Sequence, residues 1–173
     1  MRIPLALALV LGTVMIPGHS TPAQPPENRV PRSEKKLLLL EKKVLSLAAA
    51  RKMAAAAIQE AERNHWRGVV AVVDDGGWLI LLERMDHSAM TASVELAAGK
   101  ARTAALFKKP SQELEETINR GRYAAITARG FIEMQGGLPV VVDGEVVGAI
   151  GASFATPEED VRVAKAGLAA LTQ

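Results

Sequence analysis

The chain has 173 residues, of which 49% are hydrophobic and only 3% are aromatic. This length suits one domain with short accessory segments, and the composition predicts a core built from Ala, Val, Leu and Ile. A formal net charge of +2 is too small to indicate a nucleic-acid-binding protein. The chain contains no cysteine, which excludes a disulfide framework, a thiol nucleophile and a lipid anchor on cysteine.

The first 23 residues have the pattern of a secretory signal peptide. Arg2 supplies a short positive region, residues 3–17 are apolar, and residues 18–23 are small and polar. We therefore expect cleavage after Ala23 and an exported product, either periplasmic or secreted. The alternative is an uncleaved membrane anchor, which is disfavoured because the apolar run is short, and no later segment is long and apolar enough to span a bilayer.

A flexible segment is predicted over residues 24–43, ahead of a folded domain over residues 44–173. Several prolines and charged residues make this segment a poor candidate for burial. Lys42 and Lys43 could contact acidic lipid headgroups. A solvated edge is the favoured interpretation, because Glu41 and other acidic residues alternate with the lysines.

The first part of the domain is predicted to contain one helix and one β-hairpin. Ser46 can cap a helix over about residues 47–65, which is rich in alanine. The β-branched run over residues 69–73 predicts a buried strand. The turn sequence DDGG follows and joins it to a second apolar strand over residues 78–82. Asp74 in this turn is expected to cap backbone N–H groups rather than to act in catalysis.

The second strand leads through a polar corner into the next helix. Either Ser88 or Thr91 is expected to cap this helix, which runs to Phe107. Its residues at helical spacing are Ala92, Leu96, Gly99, Thr103 and Phe107. Pro110 ends the helix and Ser111 is expected to cap another one.

The remainder of the chain is predicted to form a second hairpin and a last helix. A short helix ends near residues 129–130, and an extended segment follows over residues 131–134. Strands over residues 138–142 and 145–152 are joined by the dipeptide Asp-Gly, a strong hairpin signal. Glycines in the last strand indicate close approach of another backbone. Thr156 caps the final helix. This order predicts an antiparallel sheet with helices packed on it.

Several motifs, in this order, resemble the GlcG/HbpS family of haem-binding or haem-degrading domain proteins over about residues 44–171. The segments that carry the resemblance are VVDDGG (72–77), RMD (84–86), GKARTAALF (99–107), GGLPV (136–140) and DGEVVGAIG (143–151). The resemblance implies a profilin-like α/β (α+β) fold, with an antiparallel sheet flanked by helices, and a homo-oligomer. Members of the family are linked to haem binding, to cobalamin-related domains and to glycolate-utilisation operons.

Two positions depart from the family pattern. The family usually has Gly after Arg-Met-Asp, where this chain has His87. It often has Gly after the Ser near the end of the last strand, where this chain has Phe154. Both departures place larger side chains where a ligand would sit.

The polar corner is the best candidate for a ligand site. The candidate residues are Arg84, Asp86, His87, Met90 and Thr91 of the corner, with Lys100 and Arg102 of the following helix. Imidazole and thioether are both ligands of haem iron. His87 and Met90 are too close in sequence to bind opposite faces of one iron, so His87 is the candidate metal ligand and a second ligand would come from another subunit.

The cationic residues of the candidate site have two interpretations. Arg84, Lys100 and Arg102 could bind carboxylates, such as haem propionates or a small acid. Alternatively, they form ion pairs with Glu83, Asp86 and Glu95.

Three functions remain open on the sequence. The first is an exported protein that binds haem or a related tetrapyrrole. The second is an enzyme acting on a small oxygenated acid such as a 2-hydroxy acid, with Asp86 or His87 as acid/base and Arg84 or Lys100 holding the carboxylate. The third is a structural oligomeric protein, for which Ala97, Gly99 and Ala101 offer a small apolar helix face.

Overall fold

The computed structural model describes residues 40–171, so the predicted leader and most of the segment that follows it lie outside the described residues. Two β-hairpins are separated and flanked by helices along the described part. The α-helices are α1 (Leu47–Arg63), α2 (Ser93–Phe107), α3 (Ser111–Asn119) and α4 (Pro157–Ala169), and a 3-10 helix covers Tyr123–Thr127. The strands are β1 (Val69–Asp74), β2 (Leu79–Arg84), β3 (Gly137–Val142) and β4 (Glu145–Ser153).

The four strands form one antiparallel sheet with the order β2-β1-β4-β3. In this sheet β1 pairs with β2 on one side, where Val69 lies opposite Arg84. It pairs with β4 on the other side, where Val72 lies opposite Ile150. The expected α+β fold, an antiparallel sheet flanked by helices, is therefore confirmed.

Helices cover both faces of the sheet. Val70 and Val72 of β1 belong to a core that includes Met53 of α1 and Val163 of α4. The alternate residues of β1 face α2 instead, as Val69 does beside Ala97. Because successive residues of a strand point to opposite faces, a strand covered on both sides must be apolar throughout. This explains the unbroken apolar run in β1.

Gly151 lets α2 lie directly on the sheet. A Cβ at Gly151 would lie 2.2 Å from the carbonyl oxygen of Ala97 and 2.6 Å from the amide nitrogen of Ala101. The predicted close backbone approach at this strand is therefore confirmed, and the approaching element is α2. Ala97 and Ala101 are fully buried by this contact, and Gly99 packs against Ile132. The prediction that these three residues form a contact between subunits is therefore wrong, because they pack inside this chain.

Two of the predicted helix caps are confirmed and two are wrong. The hydroxyl of Ser46 accepts from the amide of Ala49, and that of Thr156 accepts from the amide of Glu159. Neither Ser88 nor Thr91 caps α2, which begins at Ser93 without a side-chain cap. The segment before α2 instead forms turns, which give the polar corner an irregular backbone.

Ser111 does not cap α3 but links it to β3. Its buried hydroxyl donates to the carbonyl of Met134 at 2.7 Å and accepts from the amide of Gly137 at 2.9 Å. The segment before β3 contains the 3-10 helix, and residues 131–134 form no regular strand. Within the described chain, no helix has the length and apolar character needed to cross a bilayer.

The two lysines ahead of α1 are attached to the domain. Lys42 lies 2.8 Å from a carboxylate oxygen of Asp75, in the turn between β1 and β2. Lys43 forms an ion pair with Asp143, in the turn between β3 and β4. Both lysine side chains stay exposed, at 63% and 55%, as the predicted solvated edge requires, and they also connect the start of the domain to both hairpin turns.

Candidate functional site

The polar corner is the irregular link between β2 and α2. The amide of Met85 donates to the carbonyl of Gly68 at 3.0 Å, which fixes the point where the chain leaves the sheet. Arg84, Asp86 and His87 are exposed there. Within residues 40–171 none of these three side chains makes a hydrogen bond or an ion pair. The alternative ion pairing of Arg84 with Glu83 or Asp86 is therefore not formed, and a guanidinium and an imidazole are available to a ligand.

Two hollows lie on either side of residues 84–87. The larger one has a volume of about 490 Å³ and is also lined by Ile58, Glu62 and Arg67. The smaller one has a volume of about 260 Å³ and is also lined by Ser88, Met90 and Thr91. Five of the seven predicted site residues therefore lie together at the corner.

Lys100 lies in a separate inner cavity of about 230 Å³. Its ammonium is 2.6 Å from Oδ2 of Asp160, and the two residues are only 1% and 4% exposed. Oδ1 of Asp160 accepts a hydrogen bond from the amide of Phe154. The alternative interpretation, in which Lys100 forms an ion pair, is therefore right for this residue but wrong in its partner, which is Asp160, sixty residues away in the chain.

Burial raises the pKa of Asp160, while the hydrogen bond and the charge of Lys100 oppose that shift. An unpaired charge in such a place would be costly, so each member of the pair holds the other in its charged form. Met90 lines both this cavity and the smaller hollow of the corner. Lys100 itself lines neither hollow of the corner, and its ammonium is already engaged by Asp160.

Arg102 is not part of the corner. Its guanidinium donates to the carbonyl of Gly77 at 3.4 Å and lies 5.5 Å from the ring centre of Trp78. These two residues precede β2, whereas the corner follows β2. A strand of six residues separates the two places by about 17 Å. The prediction that Arg102 shares one site with Arg84 and His87 is therefore wrong.

No cluster of three or more His, Cys, Asp or Glu side chains in the described chain could hold a metal ion. A haem iron does not require such a cluster, because the porphyrin supplies most of its ligands and the protein adds one or two axial groups. His87 therefore stays the predicted axial ligand.

A family model described as "Haem degrading protein HbpS-like" matches residues 45–169. The chain belongs to this family. Protein GlcG of Escherichia coli K12 is 46% identical over 95 residues, which are 55% of this chain and 70% of GlcG. The resemblance inferred from the sequence motifs is therefore confirmed.

Solved structures agree with the HbpS-like assignment. A double mutant of Streptomyces reticuli HbpS has a TM-score of 0.73 and 31% identity, covering 86% of this chain and 97% of that one. Klebsiella pneumoniae protein ORFY also has a TM-score of 0.73 and 31% identity, over 78% of this chain and 94% of that one. PduOC in complex with heme has a TM-score of 0.68 and 27% identity, over 73% and 94%.

The backbone at His87 explains why glycine is usual at this position of the HbpS-like pattern. His87 has φ +61°, in the left-handed region that favours glycine. A glycine suits this turn for backbone reasons, so the histidine adds an imidazole at the expense of some backbone strain, about 1 kcal/mol. Its ring is exposed and does not fill the interior of this chain.

The second departure, Phe154, fills space in the interior of the chain, unlike His87. It is 2% exposed, it lines the inner cavity, and its ring lies over Gly68, where a Cβ would be 2.5 Å from the ring. A glycine at position 154 would leave this volume empty. Phe154 therefore occupies volume at the wall of the inner cavity.

Proposed function

We propose that this HbpS-like chain is an exported protein that binds haem or a related tetrapyrrole at the corner formed by residues 84–91. One observation carries the proposal: Arg84 and His87 are exposed side by side, between two hollows, and neither has a partner within the described residues. The description of the family and the neighbour PduOC, solved with heme, support the choice of ligand.

The residues of the corner fit the chemistry of a haem. The iron is a Lewis acid and accepts a neutral imidazole, which His87 can provide. A guanidinium pairs well with the carboxylate of a propionate, and Arg84 can provide it. Ile58, Met85 and Met90 supply apolar and thioether surface for the macrocycle.

A second subunit is part of this proposal. The smaller hollow, about 260 Å³, lies below the roughly 300–1,000 Å³ typical of ligand sites. The larger one is an open surface and does not enclose a planar ligand. We therefore propose a homo-oligomer in which a second copy covers the other face of the tetrapyrrole. Light scattering should give a mass above that of the monomer, and a monomer at all concentrations would contradict this part.

Titration with haemin, followed by absorption, tests the site. We expect a Soret shift that saturates at a fixed ratio, and weaker binding with an altered spectrum for His87→Gly. Removing Arg84 by Arg84→Ala should weaken binding by about tenfold or more, the effect of losing a hydrogen bond to a charged group. His65→Gly is a matched control, because His65 also has a left-handed backbone, at φ +58°, and lies outside the corner.

The outcomes distinguish the open functions. Unchanged haem affinity and spectrum in both corner variants, with the fold intact, would remove the corner from consideration. Turnover of a small 2-hydroxy acid without tetrapyrrole would favour an enzyme, although Asp160 already engages Lys100, one of the two residues assigned to bind the carboxylate of that substrate. An oligomer that binds neither would favour a structural role.

Export is a separate part of the proposal and rests on the leader pattern alone. Mass spectrometry of protein from the exported fraction should find a chain that begins near Gln24. An intact Met1 on a cytoplasmic product would contradict it.

A further inference from the structure

A fourth concave site lies far from the corner. It has a volume of about 470 Å³ and lies between the end of α2, helix α3 and the 3-10 helix. The corner precedes the first residue of α2, and Phe107 at the last residue lines this cavity. A helix of fifteen residues separates the two places by about 22 Å. A ligand bound here would therefore not compete with one at the corner.

One part of the cavity wall is apolar and well supported. Phe107, Leu114 and Ala125 line it, and Leu114 is buried. The ring of Phe107 packs edge-on against Phe131, with 4.9 Å between the ring centres. This wall can accept the apolar part of a ligand without rearrangement.

Glu133, which also lines the cavity, carries an unsatisfied acceptor. Its Oε1 atom is buried, and it is the one buried side-chain nitrogen or oxygen of the described chain without a hydrogen-bond partner. Native proteins rarely leave such an atom unpaired, since a buried acceptor without a donor is unfavourable. Glu133 lines the cavity, so a turn of its terminal carboxylate torsion, which is soft, would bring this oxygen to a ligand, and a charged N–H donor there would satisfy it.

Two cationic residues line the same cavity. Arg122 is exposed and makes no side-chain hydrogen bond or ion pair in the described part of the chain. Lys109 is only loosely engaged, with its ammonium 3.9 Å from the carboxylate of Glu113. A simple cation would be repelled by these two groups, and a simple anion would leave Glu133 without a donor.

We propose that this cavity binds a small zwitterion with an apolar side chain, namely an α-amino acid or a dipeptide. The ammonium donates to Glu133, the carboxylate pairs with Arg122 and Lys109, and the side chain packs on Phe107 and Leu114. The volume of about 470 Å³ falls within the roughly 300–1,000 Å³ of small-molecule sites.

Calorimetric titration of the full chain with L-phenylalanine and with the dipeptide Phe-Leu tests the proposal. We expect saturable binding of at least one of them. Phenylalanine amide lacks the carboxylate and 3-phenylpropionate lacks the ammonium, and each should bind at least about tenfold more weakly than L-phenylalanine or Phe-Leu, whichever binds. This pattern would show that both charged groups of the ligand are recognised.

Two variants connect the binding to the proposed residues. Glu133→Gln keeps the shape of the side chain and should weaken the zwitterion by about tenfold or more. Arg122→Ala should weaken it as well, whereas Arg120→Ala should not, because Arg120 pairs with Glu116 and does not line the cavity.

Two results would overturn the proposal. One is the absence of saturable binding of both probes up to about 10 mM, which is about ten times the dissociation constant of a weak, 1 mM site. The other is a Glu133→Gln variant that melts at a higher temperature and binds both probes as before, since the unpaired oxygen would then be only a local defect of the fold.

Discussion

The ammonium of Lys100 lies 2.6 Å from the carboxylate of Asp160, and both side chains are almost completely buried. Lys100 belongs to α2 and Asp160 to α4, and these helices cover opposite faces of the sheet. The pair therefore joins the two helical layers beyond the end of β4. Gly136 makes room for it, because a Cβ there would lie 2.7 Å from the Cβ of Asp160.

Removing one member of this pair should destabilise the fold strongly. Asp160→Asn leaves a buried ammonium unpaired, and Lys100→Met leaves a buried carboxylate unpaired, so each should lower the free energy of unfolding by about 3–5 kcal/mol. The double variant has no buried charge and should lose clearly less than the sum of the two. Denaturant unfolding measures all three. Single variants that lose less than about 1 kcal/mol would show that the pair is open to solvent.

The ion pairs of Glu60 with Arg63 and Arg162 should make the free energy of unfolding depend on pH in the acid range. The hydrogen bonds from Arg63 and Arg162 hold the pKa of Glu60 below its usual value of about 4.5. A carboxylate with a lowered folded pKa stabilises the fold above its unfolded pKa, and this contribution is lost as the pH falls through the folded value. Glu60→Gln should therefore be less stable than the parent at neutral pH, and the difference should vanish in acid.

The measurement is denaturant unfolding of both proteins between about pH 7 and pH 3. Glu62→Gln is the matched control, because Glu62 lies exposed on the same helix and has no side-chain partner in the described structure. A Glu60→Gln difference that grows in acid would contradict the lowered pKa of Glu60.

The pKa of Asp160 is shifted in the opposite direction, because burial raises it. The contribution of this shift to the free energy of unfolding is therefore present at low pH and is lost as the pH rises through the folded pKa.

The hairpins and most helix ends could be predicted from local sequence, because their signals lie within a few residues. The dipeptide Asp143-Gly144 has positive φ angles at both residues, as its turn requires. The buried face of α2 could not be predicted so well. The apolar stripe suggests Leu96, but Ala97 and Ala101 are the fully buried residues where α2 lies against Gly151, which leaves no room for larger side chains. Lys100 is also buried, because its ammonium pairs with Asp160.

The candidate site was predictable only where it is local. Arg84 and His87 lie together because they are close in sequence. The partner of Lys100 is sixty residues away, and Asp160 looked like an ordinary acidic residue in the first turn of a helix. Arg102 lies beside the turn before β2 and not at the corner after it, and sequence spacing does not show which end of the hairpin a helix residue reaches.

The backbone of His87 leads to a prediction that does not involve a ligand. His65 and His87 both have left-handed backbones, at φ +58° and +61°. Gly at either position removes this strain and should raise the free energy of unfolding by up to about 1 kcal/mol, part of which is offset by the greater freedom of Gly in the unfolded chain. Ala keeps the Cβ and should give no gain. Thermal unfolding of the Gly and Ala variants measures the difference, and equal midpoints for the two at each position would contradict the explanation.

The contact between Gly151 and α2 sets the strongest prediction for the fold. A Cβ at position 151 would lie 2.2 Å from the carbonyl oxygen of Ala97 and 2.6 Å from the amide nitrogen of Ala101. These are backbone atoms of a helix, which cannot move one at a time, so the whole helix must lift from the sheet and expose the apolar face of β1. We expect Gly151→Ala to cost more than about 3 kcal/mol, above the usual range for an overpacked core. The control is Gly76→Ala, because its nearest new contact would be the side chain of Trp78 at 3.1 Å, in a turn that can adjust. Equal unfolding free energies for the two variants would show that α2 does not rest on the backbone of β4.

The same two variants should differ in haemin binding, because α2 begins at the corner. Gly151→Ala should lower both the free energy of unfolding and the affinity for haemin, whereas Gly76→Ala should leave the affinity unchanged.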